Sequence, residues 1–292
     1  MTNPFAFDFM RIALVLAVLI GLTAPAIGTF IVQRRLALLG DGIGHVALTG
    51  IGLGLLTSTS PVLGALVVST LGAVAIEILR ARSRTGGDVA LALLFYGGLA
   101  GGVLLTNVEG GGTSLQSYLF GSITSVTVGD LYVVSALAVG VLAVVVLFGR
   151  ELFLLCQDEE VARASGLPTR MLSLLIAVTA AVTVVIAMRA IGLLLVSALM
   201  VVPVAAAQQL TRSFLSTMLA AMGIGVLSAV TGLLASFEND LPPGPSIVLV
   251  ALALFMAAVL WRAIGGSLTR DGRTGRTLRS GSEATADAEV HK

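Results

Sequence analysis

Long stretches with no charged residue constrain this chain more than any other feature. Residues 131–148 and 247–261 contain no Asp, Glu, Lys or Arg. A bilayer core about 30 Å thick takes about 20 apolar residues per spanning helix. A membrane β-barrel instead shows segments of about ten residues with alternating polarity. The apolar runs here are continuous, so the chain reads as all-α, a polytopic transmembrane helical bundle. Composition agrees: 57% of the 292 residues are hydrophobic and 11% are charged, with a mean hydropathy of +1.03. A soluble domain of this length needs far more polar surface to cover its core.

Apolar segments fall at about 12–32, 41–57, 61–79, 88–105, 130–148, 171–188, 190–207, 213–237 and 246–262. That gives nine spans, or eight if the short gap at Arg189 joins two of them into one broken element. Residues 12–32 include Thr23-Ala24-Pro25-Ala26, which resembles a signal-cleavage region. The preceding stretch has one Arg against one Asp and lacks a positive n-region, and the apolar run is long for a signal sequence. It is read as the first span.

With the N-terminus outside, Arg34, Arg35, Arg80, Arg82, Arg84, Arg150, Arg163, Arg170, Arg212 and Arg262 fall on one side, and only Arg11 and Arg189 on the other. The positive-inside rule makes the Arg-rich loops cytoplasmic and places the C-terminus inside. Residues 107–129 then lie outside, with the link Gly110-Gly111-Gly112 and an amphipathic stretch at 114–125 expected to form a short interfacial helix. Residues 266–292 read as a disordered cytoplasmic tail.

The net charge of +1 gives no basic face for nucleic acid. The single cysteine, Cys156, forms no internal disulfide and reads as a packing residue. Glycines four apart, such as Gly50/Gly54 and Gly98/Gly102, suit close helix packing in lipid. The Gly40-Asp41-Gly42-Ile43-Gly44 stretch has the spacing of neither nucleotide-binding loop.

Ionisable residues inside spans are costly and mark function. Asp41 and His45 stand four apart on one face of the second segment. Two readings fit them. Carboxylate plus imidazole suits divalent zinc, manganese or iron; alternatively, Asp41 caps the helix and His45 bonds to a neighbour. Glu77 beside Arg80 reads as an interfacial ion pair. Asp88 and Asp130 sit at helix N-termini, where a carboxylate favours the dipole. Glu238 and Asp240 occupy an outer loop, placed either to attract cations or simply to be solvated.

The longest cytoplasmic interruption among the later spans, 156–168, has an acidic first turn, small residues, then Gly166 and Pro168. It reads as a short helix whose exposed small-residue face suits docking onto another protein, or as a helix on the bilayer surface. Its acidic start opposes attraction to anionic lipid.

Several motifs then coincide. The run from Arg34-Arg35-Leu36 through Gly40-Asp41 to His45-Val46-Ala47, the segment 158–166, the apolar stretch 192–203 ending in Pro203, and Leu241-Pro242-Pro243-Gly244-Pro245 together resemble the zinc/manganese/iron-type permeases of bacterial ABC importers. The resemblance covers residues 12–262 and implies one permease domain over residues 1–265, in the bacterial cytoplasmic membrane. It implies Asp41 and His45 on the path of a divalent metal ion carried as substrate. It also implies a coupling helix at about 156–168, with Asp158, Glu159, Glu160, Ala162 and Gly166 facing a separate ATPase. The partners it implies are a cytoplasmic ATP-binding subunit, an extracytoplasmic metal-binding receptor and a second permease copy in a homodimer. The chain carries no Walker motif, so ATP is expected to be used in the partner, and no cofactor is expected here.

Two other classes compete. An ion-coupled secondary transporter would need internal repeats and broken helices near the midplane. An intramembrane metalloprotease would need a set such as HExxH, and only one histidine lies in a span. An ABC permease for iron chelates or cobalamin is the nearer alternative.

Overall fold

A computed structural model of the chain describes residues 8–82, 87–108, 118–121, 128–188 and 191–264. The described residues form helices and connections with no strand. In chain order the helices are α1 (Asp8–Gln33), α2 (Leu39–Leu56), α3 (Pro61–Arg82), α4 (Gly87–Val108), α5 (Val128–Gln157), the short α6 (Glu159–Ala164), α7 (Thr169–Met188), α8 (Leu193–Leu210), α9 (Phe214–Glu238) and α10 (Pro243–Ile264). Seven are long and apolar enough to cross a membrane, and shorter apolar stretches lie in α4 and α8. Each of the nine apolar segments therefore has its helix.

The helices sort by burial. The most apolar windows of α1 and α7 are 72% buried within the chain, whereas those of α5 and α10 are 22% and 17% buried. α1, α2 and α7 form the inside of the bundle, with Phe30, Ile43 and Ile176 in one continuous core. Exposed Leu63, Val67 and Leu71 on α3, and Val139, Val146 and Leu147 on α5, face outward. In water such a surface would drive aggregation; in a bilayer it is the ordinary exterior.

Several hydroxyls inside the helices are satisfied locally. Thr29 Oγ1 donates to the Pro25 carbonyl at 2.8 Å and Thr183 Oγ1 to the Thr179 carbonyl at 2.7 Å. α1 continues through Pro25, as spanning helices do when such side chains and neighbouring helices compensate the freed backbone groups. The small-residue expectation also holds. α2 packs most extensively on α4 and α3, meeting α3 where Gly50 touches Gly64 and Ala65, and α4 where Gly98 lies on the His45–Val46 backbone.

α7 and α8 are separate helices, the first ending at Met188 and the second starting at Leu193. Ile191 N–H and Gly192 N–H close the last turn on the carbonyls of Ala187 and Met188. Gly192 then takes φ +92°, a region open to glycine and strained for other residues. A Cβ there would also meet the backbone of Leu119, Phe120 and Gly121. Arg189 lies outside the described residues. So do the tail and most of 114–125, of which residues 118–120 are helical.

Candidate functional site

Asp41 and His45 occupy consecutive turns near the start of α2. The helix begins two residues before Asp41, with Leu38 at the N-cap and no side-chain cap bond. The capping reading of Asp41 is therefore corrected: its carboxylate lies in the first turn, aligned with the helix dipole without closing the end. Both side chains are half-buried.

His45 is held from the α4 side. Its ring packs edge-on against Phe95, centroids 4.1 Å apart at 71°, and the Gly98 backbone lies against its main chain. Its Nδ1 is buried with no hydrogen-bond partner among the described residues. That corrects the satisfied-histidine alternative, because a buried ring nitrogen normally finds a partner and each exception calls for a cause. Neutral imidazole nitrogen is a good ligand for a divalent cation. No group of three or more His, Cys, Asp or Glu that could hold a metal occurs among the described residues. Asp41 and His45 are thus two donors without a third beside them among the described residues.

A charged junction surrounds α6, where Arg34 from the α1–α2 connection reaches it. Asp158 has extended backbone and its Oδ1 accepts from Glu160 N at 2.8 Å and Val161 N at 3.1 Å, starting α6. The end of α6 follows from Gly166, at φ +81°. Its N–H reaches the Arg163 carbonyl and the Leu167 N–H reaches the Ala162 carbonyl, a Schellman closure. Asp158, Glu159, Glu160 and Gly166 are exposed. Ala162 is not: it is fully buried in the main core. The expectation that Ala162 lies on an open docking face is corrected, because α6 packs on α5 and α7 and its smallest inward residue must fill that contact.

Beside α6 a cavity of about 760 Å³ is lined by residues that include Arg34, Arg80, Arg163, Arg170, Glu77 and Glu159. Three loops assigned to one membrane side from their arginines therefore meet at one end of the bundle. Arg80 Nη1 bonds Glu77 at 3.4 Å, as expected of that pair. Arg34 donates to Ser173 Oγ at 2.8 Å and to Glu159 Oε2 at 3.2 Å. Burial lowers the Arg34 pKa from its usual value, with Arg80 adding to the effect; arginine nonetheless stays charged.

Cys156 is half-buried and its thiol points to the Phe30 carbonyl at 3.7 Å, in keeping with a packing role. Asp130 lies in the first turn of α5, and Glu238 and Asp240 are exposed around the end of α9. The Asp88 side chain lies outside the described residues. Sequence reasoning passed over Glu151, whose Oε2 is buried without a partner among the described residues.

Among the described residues, a bundle of long apolar helices with a short capped helix at its Arg-rich end fits an ABC importer permease. The chain belongs to the ABC 3 transport family, whose model matches residues 6–262. It is 35% identical over 266 residues to the manganese transport system membrane protein MntC of Halalkalibacterium halodurans, covering 91% of both chains. It is 32% identical to the manganese import system permease protein ScaB of Streptococcus parasanguinis, covering 86% of this chain and 89% of that one. Among solved structures it resembles PsaBC from Streptococcus pneumoniae in complex with Fab, with TM-score 0.79, 30% identity, and 86% of this chain and 91% of that chain covered. The chain is a multi-pass protein of the cytoplasmic membrane and the permease subunit of a metal-type ABC importer.

Proposed function

We propose that the metal carried is manganese and that Asp41 and His45 are this chain's share of its transit site, completed by the same pair from a second copy. The buried, unpartnered Nδ1 of His45 is the observation that carries this reading. Among the described residues that nitrogen has no partner, and it lies one turn from the Asp41 carboxylate. Mixed carboxylate and imidazole donors suit manganese, and equally zinc and ferrous iron. The choice of manganese is supported by the relatives named for it.

In this reading an extracytoplasmic receptor delivers the ion and the dimer accepts it between its α2 helices. ATP binding and hydrolysis in a cytoplasmic partner move α6, and the bundle changes which side is open. α6 suits that task because both of its ends are fixed, by Asp158 and by Gly166, so it moves as a rigid piece.

The test is total manganese, zinc and iron by elemental mass spectrometry in host cells grown in metal-poor medium. A strain lacking the protein is compared with strains restored by the intact chain and by His45→Ala, with membrane levels matched by immunoblot. Manganese alone should fall, and only the intact chain should restore it. Restoration by His45→Ala removes the histidine from the path; loss of zinc or iron instead of manganese reassigns the substrate.

A further inference from the structure

Arg34 has only 6% of its side chain accessible, against 44% for its partner Glu159. A guanidinium is kept that far from water only when its donors are used. Here one branch of the fork holds Ser173 on α7 and the other holds Glu159 in the first turn of α6. The other oxygen of Glu159 accepts from Arg163 at 3.0 Å, so the carboxylate is also fixed along α6. Three pieces of chain remote in sequence therefore meet on one side chain.

The segment after Arg34 has no slack. Arg34 N–H bonds the Phe30 carbonyl, Leu36 N–H the Ile31 carbonyl at 2.9 Å, Leu39 N–H the Leu36 carbonyl at 2.8 Å, and Gly42 N–H the Leu38 carbonyl. Arg35 takes φ +58° to make the turn. Hydrogen bonds thus run from the last turn of α1 into the first turn of α2, where Asp41 lies, with His45 one turn further on. Displacing Arg34 displaces that turn.

We propose that Arg34 is a positioning residue that transmits movement of α6 to Asp41 and His45, acting through its pair with Glu159 and the tied 34–42 segment. This rests on the reading of α6 as the element that docks on the ATPase. When α6 shifts, Glu159 draws the guanidinium with it, because a buried arginine that loses its bonded carboxylate keeps only Ser173 and the more distant charge of Glu77. The shift reaches α2 as a small rigid displacement of its first turn. Ser173 on α7 is the fixed post against which it moves, since α7 lies in the buried centre of the bundle.

The test uses the complete permease with its ATPase, reconstituted in vesicles, and reads ATP hydrolysed per manganese ion moved. Arg34→Gln and Glu159→Gln should each raise that ratio about fivefold or more, the size of an ordinary coupling free energy. The double variant should raise it no further than the larger single change, because both substitutions cut one link. A purely structural role for Arg34 lowers hydrolysis and uptake together and leaves the ratio at the intact value, which overturns the proposal. Should Arg34→Gln fail to reach the membrane, Glu159→Gln decides alone, since its side chain is well exposed; an unchanged ratio overturns the relay. Glu160→Arg, on the outer side of α6, separates the two levels. It should release the ATPase in co-purification. If the ATPase stays bound and coupled, the docking reading fails and the relay with it; if the ATPase is released while Arg34→Gln and Glu159→Gln keep a normal ratio, only the relay fails.

Discussion

The hydroxyl of Thr49 donates to the carbonyl of Gly98 at 2.8 Å, fastening α2 to α4 one turn beyond His45. The bond works because Gly98 has no side chain: a Cβ there would lie 2.6 Å from Val46 N and 2.7 Å from the His45 carbonyl carbon. Both atoms are backbone, so nothing local can yield.

Gly98→Ala should therefore push α4 off α2, at the 1–3 kcal/mol typical of overpacking, or about 2 kcal/mol. Thr49→Val removes one hydrogen bond within the membrane, worth about 0.6 kcal/mol. Thermal unfolding in detergent should rank them in that order, and manganese uptake should fall further for Gly98→Ala because His45 moves with its backbone.

Asp41→Asn distinguishes a charge role from a structural one. Asparagine has nearly the shape of aspartate without its charge, so a packing role in the first turn of α2 would survive the change. A metal contact would not. Uptake should drop by about tenfold or more, a loss seen even for residues one shell removed from a metal, with membrane levels unchanged by immunoblot.

Two glycines with left-handed backbone should respond differently to alanine. At Gly166 nothing lies within 4 Å of the new Cβ, so the cost is conformational, about 1–2 kcal/mol, felt at the end of α6. At Gly192, φ 92° and ψ 148° lie in a region essentially confined to glycine, and the Cβ also collides with the 119–121 backbone. Gly192→Ala should fail to accumulate in the membrane, whereas Gly166→Ala should accumulate and raise the ATP spent per ion.

Asp158→Ala removes both bonds that start α6, about 1 kcal/mol for an N-cap. ATPase co-purification should weaken, and Asp158→Ser should restore most of it, since serine caps comparably.

The bundle was legible because each span carries its own apolar run, and α6 was legible because Asp158 and Gly166 are local punctuation. Asp41 was harder. Leu39 and Gly40 before it are as compatible with helix as with loop, so the helix start was read two residues late and a first-turn acid looked like a cap. Arg34 was read as a loop charge and as the start of the basic run in the family resemblance, with no partner assigned to it. Its partners are 125 and 139 residues away, and no periodicity reports a contact across that separation. Ala162 was placed outward because six residues are too few to show which face is apolar.

The burial contrast between α1 and α7 on one side and α5 and α10 on the other has a consequence for inheritance. Where the outer helices meet lipid, a lost methylene is replaced at once by a mobile acyl chain, so one apolar residue does nearly as well as another. On α1 and α7 the neighbour is another helix, which cannot flow. Sequence drift in this chain should therefore run fast along its rim and slowly through its centre, although both are built from the same few hydrophobic residues.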